Sequence, residues 1–245
     1  MTQTARELEN TFANAWMLML RNPLIVAACI VTGVIAAAAE YLTDGAMSSL
    51  IISGNGSRDA LEAISLTTEI VLFVVTLAVS LIQMAFVTGM AGAAWRGRRA
   101  GLNDGWSALV RRFGPLAGAV ALLLVIGICA AVLAPITFAV TLIVYAVFFI
   151  YSIAAVVIGE RAPVAGIVES ASLALANILP TAGVVAVVAI IAIAAGLLGH
   201  VVGNFNEDAG WLVAGLLQQI TVAYATLVVV GEYLGLASHG PESGS

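Results

Sequence analysis

From residue 116 to residue 158 the chain carries no charged side chain. A bilayer core of about 30 Å takes about 20 helical residues at 1.5 Å each, so this run is about twice one span and must double back. In hydrocarbon every backbone polar group has to be paired within its own segment, which makes the run two helices. The one reversal signal in it is Ala134, Pro135, Ile136 and Thr137, because proline lacks an amide donor and disfavours helix at the residue before it. A turn this apolar belongs at the bilayer edge or inside the bundle.

The same length criterion finds runs at residues 24–42, 66–95, 181–202 and 211–231, and divides the long one into 116–134 and 136–158. Glu40, Glu69 and His200 are the only side chains in those runs, tyrosine and cysteine apart, that can carry charge. The chain of 245 residues is 62% hydrophobic and 9% charged, where a soluble domain is roughly a quarter charged. The fold class that follows is all-α: a polytopic bundle of about six transmembrane helices, arranged as three hairpins in one integral membrane domain spanning residues 1–245.

Between the last two runs, Gly203, Asn204, Phe205, Asn206, Glu207, Asp208, Ala209 and Gly210 have the chemistry of a short aqueous turn. The long connection at 43–65 contains Gly54, Asn55, Gly56 and Ser57, which lack the strand, helix and lysine of a phosphate-cradling loop and read as a flexible turn. Cys29 and Cys129 sit inside apolar runs, which speaks against a disulfide framework or a thiolate metal site and for small buried hydrophobes. No cofactor is implied.

Arginine sets the orientation, since loops on the cytoplasmic side retain basic residues. With the N-terminus inside, Arg6, Arg21, Arg96, Arg98, Arg99, Arg111, Arg112 and Arg161 are cytoplasmic and only Arg58 is outside. Both termini are then expected in the cytoplasm of a prokaryotic plasma membrane. A cleaved leader is the competing reading of the N-terminus, because Ala36 to Ala39 resemble a cleavage site. The helical stretch before it, with Glu7 and Glu9, is unlike a short basic leader.

Three times a helix with one apolar face leads through a proline into a span. Leu8, Phe12, Trp16 and Met19 precede Arg21, Asn22 and Pro23; Leu102, Trp106, Leu109, Val110 and Phe113 precede Gly114 and Pro115; Val164, Ile167, Val168, Ala171, Leu175 and Ile178 precede Pro180. Such helices lie in the membrane interface with the apolar side down. Each hairpin, at 1–95, 96–158 and 159–245, is therefore expected to begin with a cytoplasmic interfacial helix.

Phe12, Trp16, Arg21, Asn22 and Pro23 at the start, with Glu169, Ser170, Leu173 and Asn177 before the fifth span, give the chain its family likeness. It resembles the prokaryotic membrane-domain families related to the membrane portion of glycerophosphodiester phosphodiesterases. In fused members a soluble catalytic barrel follows the membrane part. No barrel follows the last span here, so the resemblance implies a membrane module without phosphodiesterase activity.

The net charge of -5 speaks against nucleic acid, whose phosphates need a clustered basic surface across the fold. Catalysis finds little support. His200 and His239 have no metal-site spacing, and Ser80 and Ser152, without a nearby base, are expected to bond back to their own helices. Gln83, Gln218, Gln219 and Thr221 read as polar glue between helices. Gly114 with Gly118, and Gly199 with Gly203, have the spacing of close helix approach within the chain.

Two functional readings remain. In the first, a non-enzymatic membrane protein organises lipid or partner proteins through its interfacial helices, with Trp95, Arg96, Arg98, Arg99, Arg111 and Arg112 as candidates for contact with anionic lipid. In the second, a small-solute or ion transporter uses Glu40, Glu69 and His200, which converge at the outer ends of their spans, to bind a proton or cation. An aqueous cavity reaching mid-membrane would separate the two.

Overall fold

The computed structural model describes residues 3–52, 78–133, 135, 137 and 140–238, which are almost entirely helical. Helix α1 (Gln3–Arg21) meets α2 (Pro23–Ile52) at Asn22, where the axis turns by 79°. Pro23 opens α2, a position where a missing amide costs nothing. The helices α3 (Ala78–Trp95) and α4 (Leu102–Leu133) follow. Next come α5 (Val140–Phe149), α6 (Ser152–Val157) and α7 (Pro163–Ala176). The described chain closes with α8 (Ile178–Gly203) and α9 (Glu207–Ser238). Among the described residues, 5 helical stretches are long and apolar enough to cross a membrane, or 6 when the bent α1–α2 pair counts as one. The protein is a multi-pass helical membrane protein.

Three features depart from the sequence reading. The second amphipathic stretch is not a separate interfacial helix, because α4 runs straight through Pro115. Ala108 and Leu109 before the proline, and Leu116 and Ala119 after it, pack into one cluster with Val156 and Val157 of α6. That shared surface keeps one axis across the lost amide bond, a defect that neighbouring helices commonly support. The fourth span persists as one stretch, Val140–Val157, but its helical pattern is interrupted at Ile150 and Tyr151, giving α5 and α6. The break is made from outside: Ser170 of α7 accepts the Tyr151 amide at 3.1 Å and donates to the Phe148 carbonyl at 2.8 Å. Finally, α2 continues to Ile52, into the stretch read as an outer loop. The turn of Gly54 to Ser57, with Arg58, lies outside the described residues, as does His239.

The reversal between α4 and α5 falls at Pro135 as expected. Its polar groups are satisfied locally: Thr137 donates to the Leu133 carbonyl at 3.0 Å, lies 3.0 Å from the Thr141 hydroxyl, and Thr141 donates to the Ala130 carbonyl at 3.0 Å. Two hydroxyls thus supply what water would supply to an exposed turn.

Helix α9 is the axis of the bundle, packed against α1, α2 and most extensively α8. Gly199 and Gly203 of α8 lie directly on Ala214 and Gly210 of α9, so the expected close approach is made within the chain. Gly118 abuts the Pro163 ring, while Gly114 has open space before it. Between α3 and α9, Gln83 donates to Gln219 at 2.9 Å, and Gly33 of α2 leaves the space that the Gln219 amide fills. Thr221 bonds back to the Leu217 carbonyl, and Gln218 faces outward. Cys29 is buried, but Cys129, read as a buried hydrophobe, lies on the exposed side of α4. That side meets lipid, which accepts a thiol as readily as a core does.

Candidate functional site at the arginine end

One end of the bundle gathers the α1–α2 corner, the α3–α4 connection, the α6–α7 connection and the last turns of α9. Asn22 ties the first two together. Its Nδ2 donates to the Leu18 carbonyl, and its Oδ1 accepts the Ala100 amide, both at 2.9 Å. Trp95 ties α3 to α9: its indole Nε1 donates to the Leu227 carbonyl at 2.8 Å and its ring covers Gly231. Trp95, a candidate for lipid contact, is therefore turned into the bundle. At the other side of this end, Tyr233 of α9 donates to Glu169 of α7 at 3.0 Å, and Glu169 also pairs with Arg161. The Tyr151 hydroxyl meets Thr181 at 3.2 Å.

Two hollows flank the α3–α4 connection. The first, of about 170 Å³, lies between the end of α3, the start of α4 and the α6–α7 connection, and is lined by Arg96, Arg98, Arg111 and Arg112 together with Asp104 and Glu160. Arg98 reaches Asp104 at 3.0 Å and Arg112 pairs with Glu160. Among the described residues, Arg96 and Arg111 have no carboxylate partner. Asp104 also accepts the Gly101 amide at 3.0 Å, so it caps α4 while holding Arg98. Glu160 adopts φ of 56°, the left-handed region that non-glycine residues seldom occupy. The second hollow is lined by Arg21, Asn22, Arg98 and Arg99. Thus five of the six candidate residues are arginines brought to one place, and the sixth, Trp95, supports them from inside.

The carboxylate candidates fare differently. Glu69 lies outside the described residues, and Glu40 is on α2 with its side chain outside them. His200 is exposed near the end of α8, at the opposite end of the bundle from the arginines. Two deeper grooves, one beside Tyr145, Phe149 and Val188 and one beside Gly33, Trp211 and Gly215, are lined almost wholly by apolar side chains.

Sequence reasoning missed the structural roles of several polar groups. Ser152 does not bond back to its helix: its hydroxyl is buried and has no partner among the described residues. Glu232, just past the predicted sixth span, is buried. Of the residues quoted for the resemblance, Asn22, Glu169 and Ser170 each join two elements. Compared with models of protein families, with curated proteins and with solved structures, the chain gives no match.

Proposed function

We propose that the chain is a non-enzymatic membrane protein that organises lipid, or partner proteins through lipid, at its arginine-bearing face, and that this face is cytoplasmic in a prokaryotic plasma membrane. The observation that carries the reading is a set of apolar rows left largely exposed among the described residues at the end where the arginines gather. On α4 the row is Leu102, Trp106, Val110 and Phe113; on α7 it is Val164, Val168 and Leu175; on α1 it is Trp16 and Leu20. Rows at this spacing beside basic residues suit the boundary between acyl chains and headgroups, where each basic group near an anionic surface contributes about 1 kcal/mol. The polar hollows lie at this end while the described deeper grooves are apolar, which supports lipid contact over a transport path.

The test is reconstitution in phosphatidylcholine vesicles holding a minority of phosphatidylglycerol, followed by extraction into polymer-bounded discs and lipid analysis. Discs around the protein should be enriched in phosphatidylglycerol over the bulk, and the enrichment should shrink in a Trp106→Ser, Val110→Ser variant. Discs of bulk composition would sink the reading.

A further inference from the structure

The hollow between α3, α4 and the α6–α7 connection has a charge balance that specifies a ligand more narrowly than "anionic". Four arginines against two carboxylates leave two positive charges in excess, and the two without carboxylate partners among the described residues come from separate elements, Arg96 from the turn after α3 and Arg111 from α4. Arg112 is mostly covered, with 22% of its side chain exposed, while its partner Glu160 is largely exposed. We propose that this hollow is a binding site for one dianionic phosphate monoester, and that Glu160 occupies Arg112 in competition with it.

Guanidinium groups pair bidentately with phosphate oxygens, and two free ones from separate elements match a terminal phosphate better than a bridging one. A phosphate monoester carries close to two negative charges at neutral pH, whereas a phosphodiester carries one. The monoester therefore neutralises the surplus and the diester leaves half of it. The left-handed backbone at Glu160 fits the same scheme, since local strain persists where surrounding contacts hold a residue in place. The Arg112 pair is such a contact, and a phosphate that took Arg112 would release it. The site gives headgroup chemistry to the lipid-organising reading and rests on it for lying at headgroup depth.

The experiment uses the full chain in neutral detergent, titrated with inorganic phosphate, with a six-carbon-chain phosphatidate and with the matching phosphatidylglycerol. Phosphatidate should bind saturably, one per chain, and about tenfold more tightly than phosphatidylglycerol, as one further charge-assisted contact allows. Arg96→Gln with Arg111→Gln should weaken phosphatidate by about tenfold or more, while Arg21→Gln, in the neighbouring hollow, should leave it unchanged. Glu160→Gln should strengthen it, a gain that misfolding cannot mimic. Lowering the pH from about 7.5 to about 5.5 protonates the ligand, not the arginines, and should weaken phosphatidate but not phosphatidylglycerol. If inorganic phosphate matches phosphatidate, the ligand is a soluble monoester; if only phosphatidate binds, it is a lipid headgroup; both uphold the site. Non-saturable binding, or binding indifferent to the Arg96 and Arg111 changes, overturns it. Loss of the site with phosphatidylglycerol enrichment intact would leave the lipid-organising reading standing.

Discussion

At Gly159 a side chain would run directly into the Tyr233 hydroxyl and come within 2.7 Å of the Ala155 carbonyl. Tyr233 cannot retreat without leaving Glu169, the carboxylate that also holds Arg161. Gly159→Ala should therefore lower stability by about 2 kcal/mol, the usual scale of overpacking, read as a lower melting midpoint in detergent. Tyr233→Phe removes the hydroxyl clash along with the Glu169 bond, so Gly159→Ala should cost less in the Tyr233→Phe background than in the native one; an equal cost in both would show the contact misplaced. Single residues such as these were only half legible in the sequence. Glu169 and Asn22 stood out by likeness, yet their partners, Tyr233 and the Ala100 amide, lie 64 and 78 residues away in the chain. Nothing in local spacing reports a bond of that reach. Trp95 shows the opposite failure: an aromatic beside arginines fits an interfacial anchor, but its indole proton found a carbonyl on α9.

At the scale of elements, composition decides most of what is seen. Length and apolarity place the spans, and Pro135 places the reversal, because lipid removes every alternative partner for the backbone. Breaks are harder to foresee where the cause is tertiary. No glycine or proline marks Ile150 and Tyr151, and the helix parts there because a serine on α7 offers the Tyr151 amide another acceptor. Pro115 is the converse, a strong break signal overruled by packing on both of its sides. The contact of α8 with α9 was better announced, since Gly199 and Gly203 share a face. It also gives a clean pair of substitutions on one helix. Gly210 lies against the backbone of Gly203, which cannot move aside, whereas Gly215 has open space before it. Gly210→Ala should force the helices apart and cost about 2 kcal/mol. Gly215→Ala should be neutral or stabilising by up to about 1 kcal/mol, from helix propensity alone. Equal melting midpoints for the two variants would mean that the helices are not in close contact there.

For the molecule as a whole, the distribution of charge carries information that no single helix does. Arg21, Arg96, Arg98, Arg99, Arg111, Arg112 and Arg161 all lie at the end marked by Asn22, Asp104 and Glu160, while Asn206 caps α9 at the other end by accepting the Ala209 amide at 3.0 Å. If the bent α1–α2 pair is one span, the count is six and the start of α1 and the end of α9 share one side. The proposed orientation, with the arginines toward the cytoplasm, follows from the rule that basic loops stay inside. Replacing Cys29 and Cys129 by alanine and introducing one cysteine at a time makes this measurable. Asn103, exposed at the start of α4, and Phe205, 88% exposed between α8 and α9, are the natural positions. On intact cells a membrane-impermeant maleimide should label Phe205→Cys at once and Asn103→Cys only after permeabilisation. The reverse pattern would put the arginine hollow on the outer surface, where a cytoplasmic phosphate monoester never meets it. Labelling of both from outside would contradict the bundle itself, since α9, with 32 residues and a length of about 48 Å, runs from beside Phe205 to the arginine end that holds Asn103.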